Sequence, residues 1–402
     1  MHIQHLSLTN FRNYARLELS LTAGQPVVLH GDNAQGKTSL LEAIYYLATS
    51  RSPYTSSDRQ LIHWRTEHDP LPFARLTADL GGRRGGVQHL EVTLLLDHSS
   101  GTPRFKKTLK LNGVEKRVMD VVGLLPVVLF LPQDLILVEG SPADRRRYMD
   151  NTLIQGVSSY LEALEQYEKV LPQRNALLRR IAERRAGRQE LPYWDEQLTL
   201  AGAVLIAGRQ MFLRELERLA QRTHDALTGS RETLTLHYQP AFTPTAGGSG
   251  QRSFNVPGLD LHRELTAAQI QPQLYAQLQA EQSESIERGA TLSGPHRDEL
   301  RLFINGRDCG LYGSRGQART TVLALKLAEL DWLAQRCGEP PVLLLDEVVA
   351  ELDSARRAFL LARLDGSAQT LVTTTELDIF TRDFLQRAQL LRIINGQIAP
   401  AG

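Results

Sequence analysis

The sequence predicts an α/β fold in which a phosphate-binding nucleotide domain with an antiparallel β flank is interrupted by an inserted helical arm. Three observations predict it. Gly31-Asp32-Asn33-Ala34-Gln35-Gly36-Lys37-Thr38 fits the pattern G-x-x-x-x-G-K-[ST] at every fixed position. Val342-Leu343-Leu344-Leu345-Asp346-Glu347 is a continuous apolar strand ending in two acids. Between the two, from Ala143 onward, apolar residues take on the spacing of long helices.

In chain order, Ile3 to Leu8 and Leu17 to Leu21 alternate as strands around a turn at Phe11-Arg12-Asn13-Tyr14. Pro26 to His30 is a short apolar strand leading into the glycine loop. Thr38 to Thr49 carries Leu40, Leu41, Ile44 and Leu47 at helical spacing. Strands follow at Phe73 to Leu80, Glu91 to Leu96 and Lys107 to Leu111, the first two joined by the turn-forming 81–86 stretch. Leu153, Val157, Tyr160, Leu164, Tyr167, Leu171, Leu178 and Ile181 form a helical seam broken at Arg174, with Pro172 as an expected kink. After a turn at Leu191-Pro192, a second helix carries Leu198, Leu205, Phe212 and Leu219. Two such helices make either a paired, short coiled-coil arm about 45 Å long or ordinary amphipathic helices on a core. Then come a strand at Leu234 to Tyr238, a glycine-rich flexible loop at 243–251, and a helix at 264–287. Strands at Leu300 to Ile304, Pro341 to Asp346 and Gln369 to Thr373 alternate with helices at Gln317 to Ala334 and Ala355 to Leu364, a return to α/β character. The expected domains are 1–142, the inserted 143–290, and 291–402.

Composition bounds the function. The 402 residues are 42% hydrophobic and 23% charged, which is ordinary for a globular protein. A net charge of +1 makes no case for nucleic acid by itself, so any basic surface has to be local. No apolar run reaches membrane-helix length, and the first residues lack the pattern of a signal peptide, so a cytoplasmic protein is expected. Cys309 and Cys337 are too isolated for a disulfide framework or a zinc site.

The chemistry of Gly31 to Thr38 is phosphate binding. Backbone N–H groups of the loop and the helix N-terminus face anionic oxygens, Lys37 reaches the outer phosphates of ATP, and Thr38 offers its hydroxyl to Mg²⁺. At the carboxyl end of its strand, Asp346 is placed to hold Mg²⁺, and Glu347 to polarise an attacking water.

Several blocks, in order, carry a resemblance. They are Leu8 to Tyr14, Gly31 to Thr38, Pro132-Gln133-Asp134-Leu135 with Gly140-Ser141-Pro142 and Arg145-Arg146-Arg147, Gln173-Arg174-Asn175, Ser293 to Asp298, Ser314-Arg315-Gly316-Gln317, and Leu345-Asp346-Glu347 with Glu351-Leu352-Asp353. Over nearly its whole length the chain resembles the SMC-like ABC-type ATPases of chromosome maintenance, and among them the bacterial recombination mediators. The resemblance implies that Ser314, Gly316 and Gln317 form a signature that meets the γ-phosphate of ATP on the opposite subunit. It places Gln133 in a loop sensing Mg²⁺ and the attacking water, Asp353 at the dimer interface, and Arg12 on the nucleotide phosphates. Ser314 and Asp353 also read simply as helix N-caps, Gln133 as a surface residue, and Arg12 as a solvated turn arginine. Val372-Thr373-Thr374-Thr375 stands where many ABC proteins carry a switch histidine, with Thr374 or Thr375 the candidate replacement.

The implied function is an ATP-dependent homodimer that binds double-stranded DNA beside single-strand gaps and works with RecO and RecR to load RecA, with slow, DNA-dependent ATP hydrolysis as the reset. Basic clusters at Arg104, Lys106 and Lys107, at Arg145 to Arg147, and at Arg179, Arg180, Arg184, Arg185 and Arg188 are DNA candidates or solvated faces. A transporter ATPase subunit shares the same site chemistry, but the inserted arm and the missing histidine speak against it. Phosphoryl transfer to a small molecule would need a substrate pocket that no motif announces.

Overall fold

The computed structural model describes residues 1–66, 69–82, 86–97, 104–242, 265–364 and 369–399. The expected glycine-rich loop at 243–251 and residue 264 lie outside them. Two compact units emerge, one made of Met1–Asp134 with Glu329–Gly402, the other of Leu135–Ala328.

The first unit begins with strands β1 (His2–Phe11), β2 (Tyr14–Ser20) and β3 (Val27–His30), then helix α1 (Lys37–Thr49). Strands β4 (Phe73–Gly81), β5 (Val87–Asp97), β6 (Arg104–Leu111), β7 (Val114–Lys116) and β8 (Val127–Phe130) follow. The second unit contains α2 (Ile136–Glu139), α3 (Pro142–Gly156), α4 (Ser158–Ala182), α5 (Leu191–Thr228), β9 (Leu234–Gln239), α6 (Ala267–Ala280) and α7 (Gln282–Arg288). It closes with β10 (Glu299–Ile304), β11 (Arg307–Asp308), α8 (Cys309–Tyr312) and the first part of α9 (Arg315–Cys337). The chain returns to the first unit through β12 (Val342–Asp346), α10 (Val348–Glu351), α11 (Ser354–Leu364), β13 (Gln369–Thr374), α12 (Arg382–Arg387), β14 (Gln389–Ile394) and β15 (Gln397–Ile398).

Two six-stranded sheets build the first unit. One is antiparallel throughout, in the order β2-β1-β4-β5-β6-β7. Its strands alternate, burying Leu76, Ala78 and Leu80 on β4 and Leu90, Val92 and Leu94 on β5. The other runs β15-β14-β3-β13-β12-β8, parallel from β14 to β8, with β15 antiparallel at one edge. Its central strands are buried on both faces, which is why Val342 to Leu345 and Val127 to Phe130 are unbroken apolar runs. Helix α1 packs on both sheets, and Leu40, Leu41 and Ile44 join Leu8, Leu29, Leu344 and Leu371 in one core. Each such fully buried leucine stabilises the unit by about 1.5–3 kcal/mol.

The parallel register positions the chemistry. Asp346 pairs with Thr373, and Thr374 with His30, so the carboxyl ends of β12, β13 and β3 line up. Ligand sites in α/β sheets sit at such ends.

In the second unit, α4 and α5 pack on each other, α5 packs on α6, and β11-β10-β9 form a small antiparallel sheet. The helices of the expected arm have 25 and 38 residues. Leu191-Pro192 begins a helix rather than a turn, because proline at the first helical positions gives up no needed N–H. Pro172 lies inside α4. Arg174, where the apolar seam breaks, is fully buried: it donates to Asp195 at 2.6 Å and to Thr291 at 2.8 Å, while Asn175 accepts from the N–H and hydroxyl of Thr291. Two blocks far apart in sequence, around residues 173–175 and 293–298, are thereby tied together. Nearby, the Tyr167 hydroxyl meets His296 Nδ1 at 2.7 Å, and the buried Asp298 accepts from Arg209 and the Ala241 N–H. Burial holds His296 down to about 4.

Candidate functional site

Gly31 to Thr38 wraps from β3 into α1 through a backbone that needs glycine at two points. At Gly31, with φ +144°, a Cβ would lie 2.5 Å from the Ile393 carbonyl oxygen; at Gly36, with φ +115°, it would lie 2.6 Å from the Asn13 amide. Ala34 is also left-handed, at φ 62°. The loop is braced from outside: Asn13 donates to the Gln35 carbonyl at 3.0 Å, Tyr14 to the Gly36 carbonyl at 2.8 Å, and the Gly396 N–H to the Gln35 carbonyl at 2.9 Å. Asp32, Asn33 and Ala34 are exposed along the rim.

A cavity of about 500 Å³ opens over the loop, lined by Arg12, Lys37, Thr38, Pro132, Asp346 and Glu347 among others. Lys37 is buried, donates to the Gly31 and Asp32 carbonyls at 2.6 and 3.0 Å, and pairs with Glu347 at 3.2 Å. Thr38, 308 positions away in sequence, donates to Asp346 Oδ1 at 2.9 Å. An oxygen pair of this kind at the loop's mouth suits a hard cation, whose remaining ligands would be phosphate and water oxygens. Thr38 and Asp346 are therefore the residues present that fit Mg²⁺.

Two residues that sequence reasoning left aside hold the acids. Thr373 donates to Asp346 Oδ1 at 2.7 Å and accepts the Glu347 N–H at 2.9 Å, which helps keep Glu347 in a left-handed conformation at φ 56°. Tyr54 donates to Asp346 Oδ2 at 3.0 Å, and desolvation around its hydroxyl together with that carboxylate raises its phenol above the usual range, though the residue as a whole is part-exposed. The run Val372 to Thr375 pointed to the strand end, but only the parallel register singles out Thr373. Thr374 instead bonds the Glu376 backbone. Tyr54 carried no sequence signal.

The other candidates take these places. Arg12, with φ 52°, lies on the cavity wall and clasps the buried Glu42 with two bonds of 2.7 and 2.6 Å, plus the Gln60 carbonyl at 3.1 Å. Gln133 is exposed in a short helical turn whose first residue, Pro132, lines the cavity. Asp353 accepts from the Arg356 N–H at 2.9 Å and pairs with the Arg356 side chain, the geometry of a helix N-cap. In the second unit, Ser314 and Gln317 form a reciprocal cap: Gln317 N–H donates to the Ser314 hydroxyl at 3.2 Å, and Ser314 N–H donates to Gln317 Oε1 at 2.9 Å. Gln317 is also tied to Glu232 at 2.8 Å. Ser314 and Arg315 are exposed, as are Leu311 and Tyr312 just before them, while Gly316 is half-buried.

Among the basic clusters, Lys107 is engaged with the Ser50 carbonyl, Asp58 and the Tyr46 ring. Arg145 clasps Glu299, and Arg146 donates to the Asp298 carbonyl. Arg104, Lys106, Arg147, Arg179, Arg180, Arg184, Arg185 and Arg188 are exposed.

A glycine loop leaving a parallel strand, a buried lysine, and a loop threonine bonded to the acid of a neighbouring strand define a P-loop nucleotide-binding protein of α/β architecture. The family model described as RecF/RecN/SMC N terminal domain matches residues 2–394, and the chain belongs to that family. It is 42% identical to the DNA replication and repair protein RecF of Chloroflexus aurantiacus over 99% of both chains, and 40% identical to that of Herpetosiphon aurantiacus over 100% of both. Among solved structures it is similar to the recombination mediator protein RecF with ATP, in the RecFOR pathway, with a TM-score of 0.80, 28% identity and coverage of 100% of this chain and 98% of that one. The Smc head domain of Pyrococcus furiosus, 14% identical with a TM-score of 0.50 over 99% of this chain and 95% of that one, shares the fold alone. Among the described residues, no helix is long and apolar enough to cross a membrane.

Proposed function

We propose that the chain is an ATP-gated DNA-binding protein of recombinational repair and replication, in which two copies close on duplex DNA around two molecules of Mg²⁺–ATP. One observation carries the nucleotide part of this reading: Lys37, Thr38, Asp346 and Glu347 converge on one cavity. Its relatives described with bound ATP support it. Mg²⁺, when bound through Thr38 and Asp346, would neutralise charge on the phosphates. Lys37 would exchange the Gly31 and Asp32 carbonyls and Glu347 for phosphate oxygens. Freed of Lys37, the Glu347 carboxylate would orient water and accept its proton. Arg12 already lines the cavity and would exchange Glu42 for a phosphate oxygen, whereas the exposed Gln133 would reach the nucleotide only if its short helical turn moved.

The exposed Ser314 turn, with Gly316 and Gln317 at a helix N-terminus, is suited to an anion brought by a second copy, and Asp353 would sit at the same joint. Binding to DNA would fall to the exposed arginines and lysines, weakening steeply with salt and reading no sequence. Action beside single-strand gaps, cooperation with RecO and RecR in loading RecA, a cytoplasmic, nucleoid-associated location, and weak DNA-stimulated hydrolysis complete the reading and rest on the family resemblance.

Sedimentation with and without ATP, on and off duplex DNA, tests it. Lys37→Met should lose ATP binding and dimerisation together, and Glu347→Gln should trap the ATP dimer on DNA. A Glu347→Gln protein that binds ATP yet never dimerises sinks the dimer mechanism.

A further inference from the structure

The carboxylate of Asp346 is only 5% exposed, yet no cationic side chain meets it among the described residues. Its donors are three hydroxyls, Thr38 and Thr373 on Oδ1 and Tyr54 on Oδ2. A buried carboxylate without a cation has to be satisfied by neutral donors, because a bare one costs several kcal/mol. Thr373 is held beside Asp346 by the parallel register of β12 and β13, and Thr38 by the first turn of α1, which packs on β12. Tyr54 is in no such element: it comes from the irregular stretch after α1 and is itself 37% exposed.

We propose that the Tyr54 hydroxyl is a placeholder for the divalent cation's shell, donating to Asp346 while the site is empty and withdrawing when Mg²⁺–ATP enters. This rests on the reading that the cavity binds Mg²⁺–ATP. Ser52 is one of the side chains that hold the stretch carrying Tyr54, beside Thr55, which donates to Gln60 Oε1 at 2.5 Å. Ser52 Oγ accepts the N–H groups of Tyr54 and Thr55 at 3.0 and 3.1 Å and donates to Glu42 Oε1 at 2.6 Å. The same Glu42 oxygen takes the Arg12 guanidinium at 2.6 Å. Arg12 thus shares an anchor with the segment that places Tyr54. A phosphate that draws Arg12 off Glu42 therefore acts on the same carboxylate oxygen that anchors Ser52, so the anion and the segment carrying Tyr54 share one contact.

The test is a Mg²⁺ titration of binding of a fluorescent, non-hydrolysable ATP analogue, with folding checked by circular dichroism. Wild type should bind with a defined Mg²⁺ midpoint. Tyr54→Phe removes the competing donor at almost constant shape, and its midpoint should fall about tenfold, the equivalent of one hydrogen bond to a charged acceptor. Ser52→Ala, which loosens the tether without touching Asp346, should lower the midpoint in the same direction. A midpoint unchanged in both variants overturns the placeholder, and a raised one overturns it in favour of Tyr54 orienting Asp346. Wild type showing no Mg²⁺-dependent analogue binding refutes the Mg²⁺–ATP reading, and the placeholder with it.

Discussion

Replacing Thr373 by valine should damage both the fold and the putting-together of the two acids. The side chain is fully buried, and its one hydroxyl makes two bonds, to Asp346 at 2.7 Å and from the Glu347 N–H at 2.9 Å. Valine keeps the shape and loses both. A hydrogen bond to a charged group contributes about 1.5–3 kcal/mol, and the unsatisfied N–H adds about 1 kcal/mol or more. The expected loss is about 2–4 kcal/mol of unfolding free energy in urea denaturation of the nucleotide-free protein. Glu347 holds an uncommon left-handed backbone with that N–H bond as one of its restraints, so release should also misplace its carboxylate. ATP turnover should drop by at least tenfold, with nucleotide affinity less affected because Lys37 and the loop are intact. Thr373→Ser keeps the hydroxyl and should recover most of both properties. Valine and wild type agreeing within about 0.5 kcal/mol in stability, with equal turnover, would refute the claim that this hydroxyl organises the acids.

The remaining predictions concern the second unit. His296 is held down to about 4 by burial, so between its ordinary value and that one the unfolded chain binds the extra proton. Its contribution is complete above about pH 6.5 and is lost as pH falls toward about 4, by up to about 3 kcal/mol. Urea midpoints measured from pH 7.5 down to pH 5, in wild type and in His296→Gln, should converge in slope if another group is responsible. Arg174→Met alone should cost about 3–5 kcal/mol, because it leaves Asp195 buried with Gln279 as its one remaining side-chain donor among the described residues; replacing Arg174 and Asp195 together with apolar residues should recover much of that loss. Thermal unfolding of the single and double variants measures both, and a double variant as unstable as the sum of the singles contradicts the pairing.

Which parts of the molecule were legible depended on the range of the interaction. The α/β class, the antiparallel flank and the helical insertion could be read because each rests on local periodicity: alternation in β4 and β5, unbroken apolar runs in β12, helical spacing in α4 and α5. The strands Val114–Lys116, Val127–Phe130 and Gln389–Ile394 passed unread, because no motif marks their ends as the phosphate loop marks the end of Val27–His30 and the paired acids mark the end of Val342–Asp346. Gly31 to Thr38 was visible because a phosphate loop needs particular residues at fixed spacing within one turn of chain. Asp346 was visible because it ends an apolar strand.

The sequence by itself determined that these two elements exist and what chemistry their side chains can do. Only the tertiary structure decided that Thr38 and Asp346 touch, that Thr373 rather than Thr374 joins the acids, that Tyr54 and the Arg12–Glu42 clasp stand beside them, and that Arg174 is a buried anchor rather than a break in a seam. The physical reason is the same in each case. Local chemistry is written residue by residue, whereas partners for a buried polar group are chosen by sheet register and packing between segments that can lie 308 positions apart, and no local pattern encodes that choice.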